Sequence, residues 1–138
     1  MEREIYITKM DHERLSKLVE RAIASSATQH NFYLELLTSE LLRATIVDTK
    51  DIPKDVITMN SMVRLKCLDQ DKEMTFSLVY PDIADRFKDT LSILSPIGIA
   101  IIGYHVGDII EWDIPEGKVN ISILEIMYQP EIFGHYEL

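Results

Sequence analysis

Few residues in this chain have the types and spacing that catalysis or metal binding requires. The chain has four histidines, His12, His30, His105 and His135. They are scattered and lack the spacing of metal ligands on one helix or hairpin. The single cysteine, Cys67, excludes an internal disulfide and a cysteine-rich zinc site. Because it stands in a predicted strand, a packed thiol is favoured over a nucleophile.

The acidic pair Asp82 and Asp85 is the best candidate for general acid–base chemistry. No histidine or set of metal ligands converges on it, which favours a loop and helix-start role instead. The chain also lacks a glycine-rich phosphate loop and a G-x-S-x-G motif. We therefore expect no catalytic residues, no metal site, no cofactor and no enzymatic activity.

Composition limits the kinds of partner. The 138 residues are 46% hydrophobic, which suits one domain with a small extension and a real core. No stretch reaches the roughly 20 apolar residues of a membrane span, and the charged start is unlike a secretory signal, so we expect a cytoplasmic protein. A net charge of −9 repels phosphates, which argues against strong direct nucleic-acid binding and suits a protein partner with a basic surface.

The N-terminal part has a helical period. Residues 1–8 alternate weakly like a strand, and Thr8 and Asp11 then stand in the spacing of a capping box. Two stripes follow at intervals of three and four residues, formed by Leu15, Leu18, Val19 and Ala22, and by Leu34, Leu37, Leu41 and Ala44. With a polar loop between them they predict a short antiparallel helical hairpin, about 22 Å long. The pattern leaves open whether it folds against the rest of the chain or projects as an arm.

The C-terminal part has a strand-like period. After a linker around Pro53, two hairpins are predicted, over residues 62–68 with 74–80 and over residues 109–114 with 119–128. The alternation slips between Ile123 and Leu124, which predicts either a bulge or a strand that is covered on both faces. One short helix, capped by Ser95 and started by Pro96, separates the hairpins. The fold class is thus α+β, with the helical hairpin in residues 1–50 and an antiparallel sheet with one short helix in residues 51–138.

Several segments of the sequence resemble the GreA/GreB transcription-factor family. Residues 92–102, which contain Ser95-Pro96 and a small apolar helix, and the downstream Gly107-Asp108 look like the signature of its C-terminal domain. The stretch 82–85 resembles the Asp-x-Ala-Asp loop of GreA proteins. Residues 55–61, 78–81 and 125–131 resemble the Rnk branch, named for regulation of nucleoside diphosphate kinase.

The resemblance implies an FKBP-like C-terminal domain that binds RNA polymerase at the rim of its secondary channel. The contact residues that it implies are Asp82, Ile83, Ala84, Asp85 and Pro96. For Ser95 and Pro96, pure helix capping remains an equal alternative to contact. We expect a monomer.

The chain departs from the transcript-cleavage factors of the family, which carry two acidic residues at the tip of a long hairpin. Its hairpin is short, and residues 25–31 contain no carboxylate that could help to hold magnesium. We therefore expect a regulator that competes with Gre factors without stimulating cleavage. The alternatives are a partner of nucleoside diphosphate kinase or another metabolic enzyme, and a peptidyl-prolyl isomerase of the FKBP type.

Overall fold

The computed structural model describes residues 4–25, 32–84, 86–114 and 117–134. The N-terminal part contains strand β1 (Tyr6–Thr8), helices α1 (Lys9–Ser25) and α2 (Phe32–Arg43) and strand β2 (Thr45–Val47). A short 3-10 helix follows at Thr49–Asp51.

The remainder contains five strands and two further helices. In chain order they are β3 (Met62–Cys67), β4 (Lys72–Val79), α3 (Pro81–Ala84), β5 (Thr90–Ser92), α4 (Pro96–Ile101), β6 (Ile109–Ile114) and β7 (Gly117–Tyr128). A 3-10 helix at Pro130–Phe133 follows the last strand.

The start of α1 is capped as the sequence predicts. The Thr8 side-chain oxygen accepts a hydrogen bond from the backbone N–H of Asp11 at 3.0 Å. The start of α1 lies against the end of α2, because a ring nitrogen of His12 is 3.0 Å from the Leu41 carbonyl oxygen. Strands β1 and β2, of which β2 was not predicted, flank the two helices and pair in parallel.

The five-stranded sheet has the order β5-β4-β3-β7-β6. Both predicted hairpins are confirmed, since β3 pairs with β4 and β6 with β7, each antiparallel. The prediction of an antiparallel sheet with one short helix is wrong in two details. Strand β5 pairs in parallel with β4, and a second short helix, α3, lies in the ten-residue connection between them. Thr90 is paired with Ser77 and Ser92 with Val79, so β5 lies beside the end of β4 and runs in the same direction.

Strand β7 is bulged where its alternation slips. Arg64 of β3 faces Glu125 and Leu65 faces Ile123, which leaves Leu124 as an extra residue. A second register shift lies between Met62 and Val63. The predicted bulge is confirmed, and it lets apolar residues on both sides of the slip face the core.

One cluster of buried apolar side chains joins the helices to the sheet. It includes Leu15 of α1 and Leu37 of α2 together with Leu65, Ile99 and Ile121. The described parts of α1 and α2 are therefore packed on the rest of the chain. Whether residues 1–50 and 51–138 are separate folding units stays a prediction.

A glycine allows β1 to cross close to the end of α4. Gly103 has φ +82°, and a Cβ atom there would lie 3.0 Å from the Ile5 Cβ. The backbone N–H of Tyr6 donates to the Gly103 carbonyl oxygen at 3.2 Å. This crossing fixes the N-terminal segment against the sheet domain.

Candidate functional site

The predicted contact stretch begins as a single turn of helix directly after β4. In α3 the backbone N–H groups of Ile83 and Ala84 both donate to the Tyr80 carbonyl oxygen, at 3.0 and 3.1 Å. The Asp82 side chain is exposed, and those of Ile83 and Ala84 are half-buried. Asp85 lies outside the described residues. The described part of this stretch thus presents one carboxylate beside two partly accessible apolar side chains.

The Ser-Pro pair at the start of α4 divides into two roles. The Ser95 hydroxyl accepts a hydrogen bond from the Gly98 N–H at 3.1 Å and donates to the Ser92 carbonyl oxygen at 2.7 Å. The predicted cap is confirmed, and both bonds tie Ser95 to its own turn. Pro96 occupies the first helical turn and is half-buried. Pro96 thus fits the helix-start role, and its contact with a partner stays a prediction.

The parallel pair β4 and β5 brings α3 and α4 to the same end of the sheet. Val79 at the end of β4 is paired with Ser92 at the end of β5. Helix α3 begins two residues after Val79, and α4 begins four residues after Ser92. The stretch 82–84 and Pro96, which lie 12 to 14 residues apart along the chain, therefore follow two strands that are paired with each other.

Phe87 is a candidate contact that sequence reasoning missed. Its side chain is 63% exposed, in the loop that joins α3 to β5. The Thr90 hydroxyl donates to the Phe87 carbonyl oxygen at 2.9 Å, which closes this loop. Exposed aromatic residues are favoured at the centres of protein interfaces. An aromatic residue two positions after the Asp-x-Ala-Asp stretch was the available signal, but exposure cannot be read from sequence.

A groove of about 690 Å³ lies between α1 and α3. Its walls are formed by Arg14, Lys17, Leu18 and Arg21 from α1, and by Tyr80, Pro81, Asp82 and Ile83. Two of the predicted contacts, Asp82 and Ile83, line it. Ala84 and Pro96 are not among the described residues of its walls. The basic wall was not predicted, because α1 and α3 are far apart in the sequence.

The three segments that resemble Rnk, residues 55–61, 78–81 and 125–131, meet near the start of α1. The Thr58 hydroxyl donates to a Glu131 carboxylate oxygen at 2.8 Å, which joins the first segment to the last. The Asn60 N–H donates to the Leu78 carbonyl oxygen at 2.6 Å, which joins the first to the second. The Gln129 side-chain amide donates to the carbonyl oxygens of Pro53 and Val56. These three segments therefore form a structural junction around the linker at Pro53.

A buried carboxyl group lies at this junction. Asp11 is 3% exposed, and its carboxylate accepts a hydrogen bond from the Met59 N–H at 3.1 Å. Burial raises the pKa of Asp11 from 3.8 to about 7, and the nearby Glu131 carboxylate acts in the same direction. Burial also raises the pKa of Glu131. Perturbed carboxyl groups often mark active sites, but here the group closes a packing junction rather than lining a cleft.

The described residues offer little to a metal ion or a nucleophilic reaction. Within those ranges, no group of three or more His, Cys, Asp or Glu side chains is arranged to hold a metal ion. Burial raises the pKa of the Cys67 thiol, which disfavours the reactive thiolate. His30 and His135, and most of the hairpin tip, lie outside the described residues.

The helices that the structure describes are too short or too polar to cross a membrane. That finding agrees with the expectation from the sequence, where no long apolar stretch occurs.

Two family models match the chain, and together they span most of it. The model of the transcription elongation factor GreA/GreB C-terminal region matches residues 52–128. The model of the Rnk N-terminus matches residues 3–47.

Individual relatives agree with these models. The regulator of nucleoside diphosphate kinase of Escherichia coli (strain K12) is 35% identical over 135 residues, which cover 97% of this chain and 96% of that protein. Transcription elongation factor GreA of Clostridium botulinum (strain Eklund 17B / Type B) is 37% identical over 90 residues, 65% of this chain and 56% of the GreA chain. A solved structure of a prokaryotic transcription elongation factor GreA/GreB from Nitrosomonas europaea superposes with a TM-score of 0.69 at 38% identity. That likeness covers 92% of this chain and 100% of the other.

Proposed function

Because this chain belongs to the GreA/GreB transcription-factor family and is similar to Rnk over nearly its whole length, we propose that it is a regulator that binds RNA polymerase. The observation that carries the proposal is the 35% identity to the Escherichia coli regulator over 97% of the chain. The match to GreA over 90 residues supports the same class of partner. Its relatives are described as transcription factors and a regulator rather than as enzymes.

Docking is assigned to the rim of the secondary channel of the polymerase, through Asp82, Ile83, Ala84, Asp85 and Pro96. The common end of β4 and β5 supports this surface, because it gathers α3 and the start of α4. The exposed Asp82 carboxylate would meet a basic side chain of the partner, and Ile83 and Pro96 would add apolar contact. Phe87, exposed beside them, extends the surface.

The chain does not stimulate transcript cleavage in this proposal. Helix α1 has 17 residues and α2 has 12, so at about 1.5 Å per residue they are roughly 25 and 18 Å long. Residues 26–31 between them contain no carboxylate, and hydroxyl and amide groups are poor substitutes for paired carboxylates around magnesium. A docked protein of this length occupies the rim and competes there with longer Gre factors. An antiparallel arrangement of α1 and α2 and an FKBP-like sheet belong to the same proposal.

We expect the protein to act as a monomer in the cytoplasm, without strong direct binding to nucleic acid. The net charge of −9 supports the last point, because phosphates are repelled by an acidic surface. Neither a nucleoside diphosphate kinase partner nor prolyl isomerase activity is favoured by a specific contact among the described residues.

The deciding experiment measures binding of the protein to purified core RNA polymerase, with a GreA-type factor as competitor. We expect binding that the competitor displaces. The double variant Asp82→Arg/Asp85→Arg should bind more weakly while its thermal unfolding is unchanged. Absence of binding at micromolar concentration would refute the proposed function, and unchanged binding of the double variant would refute the docking surface.

A further inference from the structure

The groove between α1 and α3 has one basic wall. Arg14, Lys17 and Arg21 follow one another at intervals of three and four residues, so they share a face of α1. Lys17 and Arg21 are exposed, and neither makes an ion pair within the part of the chain that the structure describes. In a chain of net charge −9, these side chains form a local site of the opposite sign.

The other wall is mixed in character. Asp82 contributes a carboxylate, and Pro81 and Ile83 contribute apolar surface. Leu18, on the basic wall, extends that apolar strip. A small phosphorylated ligand would pair with Lys17 and Arg21, but it would leave the apolar strip uncovered. A protein segment with acidic side chains opposite Lys17 and Arg21, a basic side chain opposite Asp82 and an apolar side chain on the strip matches every part of the lining.

We propose that this groove receives a segment of RNA polymerase whose acidic side chains pair with Lys17 and Arg21 while an apolar side chain packs on Leu18 and Ile83. The inference rests on the proposed function and extends it. Docking through Asp82 and Ile83 alone would use only the sheet domain. With the groove included, helix α1 also contributes to the docking surface, through the basic wall of the groove.

The position of the groove supports this assignment, because hydrogen bonds anchor both of its walls to the rest of the chain. On one side, Asp11 near the start of α1 accepts the Met59 hydrogen bond. On the other, Tyr80 adjoins Leu78 and Val79 of β4 and accepts the two hydrogen bonds that begin α3. A rigid, charged groove loses little entropy when a partner docks.

The test compares two double charge reversals in the full chain. Lys17→Glu/Arg21→Glu alters the groove, and Lys50→Glu/Lys54→Glu alters two exposed lysines outside it with a similar change of net charge. We expect the groove variant to bind core RNA polymerase about tenfold more weakly than the control, through lost pairing and new repulsion. The affinity of the wild type should also fall more steeply with salt than that of the groove variant.

Each outcome separates this inference from the function on which it rests. If the wild type fails to bind polymerase, both are overturned. If it binds and the groove variant binds as tightly as the control, the groove inference alone is overturned. A milder variant, Lys17→Gln/Arg21→Gln, should show a smaller loss in the same direction, which guards against misfolding of the reversal. A titration with inorganic pyrophosphate that saturates the groove, together with unimpaired polymerase binding by the groove variant, would make it an anion site and overturn the proposal.

Discussion

The carboxylate of Asp11 accepts a hydrogen bond from the backbone N–H of Met59, 48 residues further along the chain, at 3.1 Å. The bond joins the first turn of α1 to the segment that leads into β3. Asp11 also faces the Glu131 carboxylate, which accepts a hydrogen bond from Thr58. The Asp11–Met59 hydrogen bond thus ties α1 to the segment before the sheet, and the charge state of the two carboxyl groups affects the stability of the chain.

We expect the free energy of unfolding to fall as pH rises from about 5 to about 8. The unfolded Asp11 carboxyl loses its proton near 3.8, whereas burial raises its pKa in the folded chain to about 7. The folded state therefore binds more protons at Asp11 between these values, so the stabilising contribution of this carboxyl is fully present below 3.8 and is lost as pH rises through about 7. Between pH 5 and 8 about 2 of these pKa units contribute, which corresponds to at most about 3 kcal/mol. Urea denaturation at the two pH values measures the effect.

The matched variants for this prediction are Asp11→Asn and Asp51→Asn. Asparagine at position 11 keeps an oxygen for the Met59 N–H but cannot ionise, so the difference in stability between the two pH values should shrink. Asp51 is exposed, and its substitution should leave that difference unchanged. An Asp11→Asn protein with the full wild-type pH dependence would contradict the assignment.

A second prediction concerns the shared core of the helices and the sheet. Leu37 of α2 is fully buried in the common apolar cluster, so Leu37→Ala should lower the free energy of unfolding by about 2–5 kcal/mol. Leu42, on the same helix, is 82% exposed, and Leu42→Ala should change it by less than about 0.5 kcal/mol. Thermal unfolding followed by both far-ultraviolet and near-ultraviolet circular dichroism should show one transition. Loss of helix signal before loss of the sheet would mean that residues 1–50 unfold separately.

Hydrophobic periodicity was sufficient to predict the helices and strands that are long. The helical stripes through Leu15 and Leu37 and both antiparallel hairpins follow local patterns, and the cap at Ser95 uses residues three positions apart. Strands β2 and β5 and helix α3 were missed because three or four residues are too few to show a period.

The site was less predictable than the fold, because its geometry depends on distant contacts. The burial of Asp11 depends on Met59, and the groove depends on the packing of α1 beside α3. A capping box explains Thr8, whereas the carboxylate three residues later bonds elsewhere. The resemblance to the family supplied Asp82 and Pro96, but neither it nor any sequence pattern indicated that Lys17 and Arg21 face Asp82 across a groove.

A third prediction separates the two residues of the Ser-Pro pair. Ser95→Ala removes the cap of α4 and should lower the free energy of unfolding by about 1 kcal/mol. Its affinity for core RNA polymerase should change little at temperatures where the variant is folded. Pro96→Ala should show the reverse, with nearly wild-type stability and weaker binding. Equal loss of binding in both variants would assign contact to the whole turn rather than to Pro96.

The last prediction concerns Phe87, whose ring is 63% exposed beside α3. An exposed aromatic side chain contributes little to folding, so Phe87→Ala should leave the thermal unfolding midpoint nearly unchanged. If the ring is buried by the polymerase, its truncation should weaken binding by about tenfold or more, since central aromatic residues carry much of an interface's binding energy. Ile132→Ala, at a residue 51% exposed in the 3-10 helix after β7, is the control and should bind as the wild type does. Equal affinities of the two variants would exclude Phe87 from the docking surface, because loss of that much apolar contact cannot be silent at an interface centre.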